Sequence, residues 1–139
     1  MAELKKTIGE GFGRGELYDV LTLLMGEMPY IATINAGAET SDKVDVTIQL
    51  KNYSNENLAK ATTVIGYISS LTGNITSITA TGTTGKVETL LTNSTYRLTT
   101  DATGKVVVQF GTVQAGSFYF NVALPNGTVV QSAQITFAA

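Results

Sequence analysis

The sequence predicts an all-β protein, two antiparallel sheets packed face to face, with a short non-β segment ahead of them. Three observations carry this expectation. Apolar and polar residues alternate in several stretches, most cleanly at Val44, Val46, Ile48 and Leu50 and again at Phe118, Phe120, Val122 and Leu124. A period of two is the mark of a strand with one buried face. Turn signals built on Gly, Asn, Asp and Pro separate about seven to nine such stretches, at a spacing typical of two-layer antiparallel folds. Charged residues make up only 14% of the chain while Thr, Ser, Gly and Asn are abundant, a balance that favours strands and turns over helices.

At 139 residues the chain suits one domain with room for an appendage. The appendage comes first. Gly9, Gly11, Gly13 and Gly15 stand at every second position, which makes a regular helix or central strand costly and predicts an extended arm over residues 1–15. Their spacing is not that of a dinucleotide-binding GxGxxG, and no strand precedes them. From Gly15 to Met28 the period changes: Leu17, Val20, Leu21, Leu24 and Met25 recur at three- and four-residue spacing, and Pro29 follows. One short amphipathic helix is expected, with acidic Glu16 and Asp19 suiting its N-terminal dipole. Three helical turns are marginal alone in water, so the stripe must dock on the chain's own sandwich, on copies of itself or on a partner protein. The candidate contact residues are therefore Leu17, Val20, Leu21, Leu24 and Met25, with Phe12 and Arg14 of the arm as further anchors.

Pro29 to Asp42 reads as an edge strand over Tyr30 to Ile34 followed by a linker, which divides the chain into 1–42 (arm, helix and linker) and 43–139 (sandwich). Val44 to Leu50 is the first two-faced strand. The Asn-rich turn from Lys51 to Asn57 leads through Leu58 and Ala59 to a strand between Thr62 and Ser70, marked by Val64, Ile65, Tyr67 and Ile68. Signals weaken from Leu71 to Leu91, where Gly73, Gly82 and Gly85 separate β-prone pieces at Ile75 to Thr81 and Lys86 to Leu91. Thr95 to Thr100 places Tyr96 and Leu98 on one face. Asp101-Ala102-Thr103-Gly104 then turns the chain into Lys105 to Phe110. The final hairpin turns at Pro125-Asn126-Gly127, and Val129, Ala133, Ile135 and Phe137 are expected on the apolar side of its returning strand.

Composition excludes several function classes. A net charge of −2 with scattered lysines offers no field for nucleic acid. The absence of cysteine and histidine removes disulfides, thiolate metal sites, the commonest zinc ligand and every Ser-His or Cys-His dyad. Asp42, Asp45, Glu56, Glu88 and Asp101 show no spacing that pairs two carboxylates for hydrolysis, so no enzyme is expected. Asp42 and Asp45 are too few for a calcium cage, and Gly82-Thr83-Thr84-Gly85-Lys86 lacks the glycine gap and hydroxyl of a phosphate loop. No cofactor is implied. The apolar run from Leu17 to Met25 is far shorter than the ~20 residues of a membrane span. No secretion signal is expected, because the first residues carry Glu3, Lys5, Lys6 and Glu10 without an apolar core. Tyr53, Tyr67, Tyr96 and Tyr119 are the aromatics that a sugar-binding module would stack on its ligand, with Tyr67 and Tyr96 expected in the core instead.

The stretch Val44 to Leu50 with its Asn-rich turn and Leu58-Ala59, and the turn Thr100-Asp101-Ala102-Thr103-Gly104-Lys105-Val106, resemble bacterial immunoglobulin-like domains. Phe118-Tyr119-Phe120-Asn121-Val122-Ala123-Leu124-Pro125-Asn126-Gly127 with Gln134-Ile135-Thr136-Phe137-Ala138 is similar to the C-terminus of small virion proteins of tailed bacteriophages. The resemblance spans Lys43 to Ala139 and implies an immunoglobulin-like antiparallel β-sandwich in a structural virion protein. Among such proteins a capsid decoration (cement) protein is expected, made in the host cytoplasm and held on the outer head surface by its arm and helix. Its partners would be the major capsid protein or other virion proteins, with a homo-oligomer also possible and neither nucleic acid nor membrane involved. A head-fibre, tail or adhesive module that grips a host-surface ligand with its sandwich loops is the alternative.

Overall fold

A computed structural model describes Leu17 and residues 26–138. Ten strands follow one another: β1 (Ile31–Ala36), β2 (Lys43–Lys51), β3 (Thr63–Gly73), β4 (Thr79–Thr84), β5 (Lys86–Leu91), β6 (Thr95–Thr99), β7 (Lys105–Gly111), β8 (Gly116–Ala123), β9 (Val129–Gln131) and β10 (Ile135–Phe137). They form two sheets, one in the order β1-β2-β7-β4 and one in the order β10-β8-β3-β6-β5, with β9 also on β8. Every pairing is antiparallel. The protein is an all-β sandwich.

The alternation visible in the sequence sets the core. Val44, Val46, Ile48 and Leu50 of β2, with Val106, Val108 and Phe110 of β7, face Phe118, Phe120 and Val122 of β8 and Tyr96 and Leu98 of β6, all buried. Phe110 is the hub. Its ring lies edge-to-face with Phe118 at 5.3 Å, Phe120 at 5.0 Å and Tyr96 at 5.9 Å, the offset geometry that aromatic quadrupoles favour. Gly66 of β3 makes this possible, because a Cβ there would collide with the Phe120 ring and stand 3.0 Å from Leu98 Cδ1.

Three expectations need correction. β1 is an edge strand, as the apolar run predicts, but it pairs with β2 in unbroken register and buries Ala32, so the sandwich reaches back beyond the boundary at residue 43. Thr84, Gly85 and Lys86 carry the chain directly from β4 in one sheet to β5 in the other, with Gly85 at φ +71°. A side chain at Gly85 would press a Cβ to 2.5 Å from the Thr99 carbonyl oxygen, so the corner requires glycine.

The returning strand of the last hairpin is broken, because its register on β8 shifts by one residue between β9 and β10: Asn121 faces Gln131 but Phe118 faces Ile135. This bulge reverses the inward face. Val130 packs on the core while Val129 is exposed, and Ala133 points outward, before Ile135 and Phe137 return to the interior. Ser132 stabilises the break, accepting the Phe120 N–H on its hydroxyl at 3.0 Å and donating to the Ala133 carbonyl at 2.7 Å. Tyr67, finally, lies on the outer side of β3 and is half-buried, since Val64, Gly66 and Ile68 take the inward positions; Tyr96 is in the core as expected.

Candidate interaction sites at the two ends of the sandwich

β2 spans the sandwich from Lys43 to Lys51, about 27 Å at the ~3.4 Å rise of an antiparallel strand, and the two ends differ. At the Lys51 end the N-terminal segment enters. Leu17, Gly26 and Glu27 are helical, and Leu17 and Met28 are exposed at 42% and 46%. Pro29 is buried. Phe12, Arg14, Val20, Leu21, Leu24 and Met25 lie outside the described residues, as does most of the expected helix.

Three side chains clasp the base of this segment. Asn52, buried in the turn after β2, accepts the Ser54 and Glu56 N–H groups on Oδ1, each at 3.0 Å, and thereby folds its own loop. Its Nδ2 remains as a donor and reaches the Gly26 carbonyl at 3.3 Å. Asn126 repeats the arrangement from the other sheet: Oδ1 accepts the Thr128 N–H at 3.0 Å, and Nδ2 donates to the Tyr30 carbonyl at 3.3 Å. The Tyr30 ring meets Tyr53 edge-to-face at 5.3 Å. The sequence marks Asn52 and Asn126 as turn formers and is silent on the clasp. The signal was the chemistry of the side chain, since an Asn that closes a turn through its oxygen keeps an amide donor for a second partner.

At the Lys43 end the loops after β1, β3, β5 and β7 gather. They leave a groove of about 560 Å³, lined on one side by Ser41, Asp42 and Lys43 and on the other by the 76–79 and 111–114 segments. Ser41 and Asp42 form the two-residue turn into β2 with φ of 52° and 61°, left-handed values that cost an L-residue with a Cβ free energy. The Thr112 N–H holds the Asp42 carbonyl at 3.1 Å. Opposite, residues 74–78 have no strand partner, yet Ile75 and Ile78 are buried. Two carboxamides satisfy the backbone there. Gln114 Oε1 accepts the Thr76 and Ser77 N–H groups at 2.8 and 3.2 Å, while Asn93 accepts the Ile78 N–H and donates to the Thr76 carbonyl, both at 2.8 Å.

Both ends carry charged side chains, Asp42 and Lys43 on the groove and Glu27, Lys51 and Glu56 around the clasp. The ion pairs among the described residues are those of Glu88 with Arg97 at 2.7 Å and Lys86 at 3.4 Å, on the outer face of the second sheet. The Arg97 and Lys86 hydrogen bonds hold the Glu88 carboxyl below its usual range. Asp101 is likewise lowered, by the Thr103 hydroxyl and then by the Lys105 and Thr103 amides, which is a turn role rather than a ligand role. Asp45 accepts from Gln109 Nε2 at 3.1 Å. Among the described residues no three His, Cys, Asp or Glu side chains come together as a metal set, and no helix is long and apolar enough to cross a membrane. The groove offers hydrogen bonding by Ser, Thr and carboxamide groups, the charges of Asp42 and Lys43, and contact with isolated apolar side chains such as Val113, 79% exposed at its rim. No protein-family model matches the chain, and a comparison with curated proteins finds no match.

Proposed function

We propose that this chain is a structural attachment module of a tailed-phage virion. Its N-terminal segment docks on a larger assembly, the outer head shell and its major capsid protein first among them, and the sandwich is displayed from it. The protein acts by binding rather than by catalysis. The observation that carries this reading is the division of labour between the ends: the N-terminal segment is clasped by Asn52 and Asn126 at one end, and the loop groove opens at the other. A module fixed through a terminal segment needs that segment to leave its body in a set direction, and a clasp at its base supplies one by lowering the entropy lost on docking. On a repetitive shell many such weak contacts add through avidity.

Co-sedimentation with phage heads that lack the protein tests this, using the full chain and a form without residues 1–28. Saturable binding at hundreds of copies per head, lost in the shortened form while its cooperative unfolding persists, is the expected result. Binding that survives the truncation sinks it. The groove carries the second reading, an adhesive module of a head fibre or tail. In that case host cells, not heads, retain the protein, and changes at Ser41, Asp42 or Val113 abolish retention.

A further inference from the structure

An open sandwich has edge strands, and exposed edges are templates for pairing with another chain. Four edges border the sheets here, and three are blunted. β4 is bulged between Gly82 and Thr84. β5 is bulged between Thr89 and Leu91 and carries Lys86 and Glu88. The β9–β10 edge is broken at Ser132. β1 has none of these devices: Ile-Ala-Thr-Ile-Asn-Ala is uncharged and its register on β2 runs without a shift from Ile31–Lys51 to Ala36–Val46. β9 lies nearby but pairs with β8, so it closes the interior without using the β1 ladder.

The ladder also fixes which backbone groups are left over. The Gly37 N–H donates to the Asp45 carbonyl at 2.8 Å, in register with β1 and β2. Hydrogen-bonded pairs in an antiparallel ladder fall at every second residue. Ile31, Thr33 and Asn35 therefore turn their backbone groups to β2, and Ala32, Ile34 and Ala36 turn theirs outward. The same three residues point their side chains at the core.

We infer that this edge binds a second copy of itself, antiparallel about a two-fold axis at Ile34, joining the two four-stranded sheets into one. The strand is complementary to itself in this register. Ile34 meets Ile34 and Ala32 meets Ala36 on the interior side, each exchanging backbone hydrogen bonds, while Thr33 meets Asn35 on the outer side. Every apolar residue faces an apolar one, every polar residue a polar one, and no charge opposes the contact. This interface is independent of how the N-terminal segment docks.

Sedimentation equilibrium of the full chain over a wide concentration range tests it, with a dimer expected. Thr33→Lys with Asn35→Lys sets two like-charged pairs across the axis without touching the β2 ladder and weakens the dimer by about tenfold. Thr33→Lys with Asn35→Glu replaces repulsion by attraction and restores it. Ala36→Pro, which removes an outward N–H, also weakens it. Hydrogen exchange gives a second readout: the Ile34 and Ala36 amides exchange quickly in dilute protein and slowly when it is concentrated. A monomer at every concentration, or a dimer indifferent to the Lys/Lys and Lys/Glu exchanges, overturns the inference.

Discussion

The side-chain amide of Asn52 reaches back 26 residues to the carbonyl of Gly26, and it does so with the nitrogen left over after its oxygen has folded the turn. Turn and clasp can therefore be separated by substitution. Asn52→Asp keeps the acceptor and loses the donor, so it should cost ~1 kcal/mol or less and open the 26–30 stretch to proteolysis while the turn stays folded. Asn52→Ala removes both and should cost ~1 to 3 kcal/mol. Urea titration with limited digestion distinguishes the two; equal losses from both variants contradict the division of roles.

Tyr96 is enclosed between Phe110 and Phe120 and its hydroxyl has no hydrogen-bond partner. A buried unpaired hydroxyl costs stability, so Tyr96→Phe should stabilise the protein by ~1 kcal/mol. Burial also pushes the phenol up to about 12. The folded state thus keeps its proton after the unfolded state has begun to lose it near 10, and stability falls as the pH rises from about 10 towards 12. In the Phe variant that part of the alkaline decline disappears. Thermal melts from pH 8 to 12 read both effects, and a less stable Phe variant refutes the prediction.

Asp42 holds a left-handed backbone at φ 61° beside the groove. Asp42→Gly relieves that conformation at the expense of some extra freedom in the unfolded chain, and a net gain of ~1 kcal/mol is expected. A denaturation midpoint that does not rise argues that the Asp42 side chain stabilises the turn by more than its backbone costs.

Gly85 is the corner between β4 and β5. Gly85→Ala must both hold a positive φ and displace the Thr99 carbonyl, with the Val106 side chain crowded as well. A loss of ~1 to 3 kcal/mol is expected. The same substitution at Gly127, which also has positive φ but nothing within 4 Å of its Cβ, should cost less.

The strands β2, β7 and β8 were legible because one face of each is enclosed, so burial writes a period of two directly into the sequence. The Asp101 turn was legible for a local reason: its side chain bonds its own neighbours, Thr103 and Lys105. What stayed hidden depends on distant partners. The inward turn of Val130 in place of Val129 follows from one extra residue against β8, and nothing in Val-Val-Gln-Ser-Ala-Gln marks where it falls. Ile75 and Ile78 resemble a strand in sequence, yet the carboxamides of Gln114 and Asn93 bind their segment in place of a neighbouring strand. The clasp was hidden for the same reason, since Asn126 and Tyr30 lie 96 positions apart.

The directions of the first and last strands give the sandwich a mechanical character. β1 begins at the clasped end and runs away from it, while β10 runs towards the loop end, where the Ala138 N–H meets Glu39 at 2.8 Å. Tension applied between Tyr30 and Ala138 acts along both strands. It loads the β1–β2 and β10–β8 ladders in shear, so their hydrogen bonds share the force and must fail together, where a pull across the strands would peel them one at a time. A tether at one end and a load at the other are thus met by the fold along its strong axis.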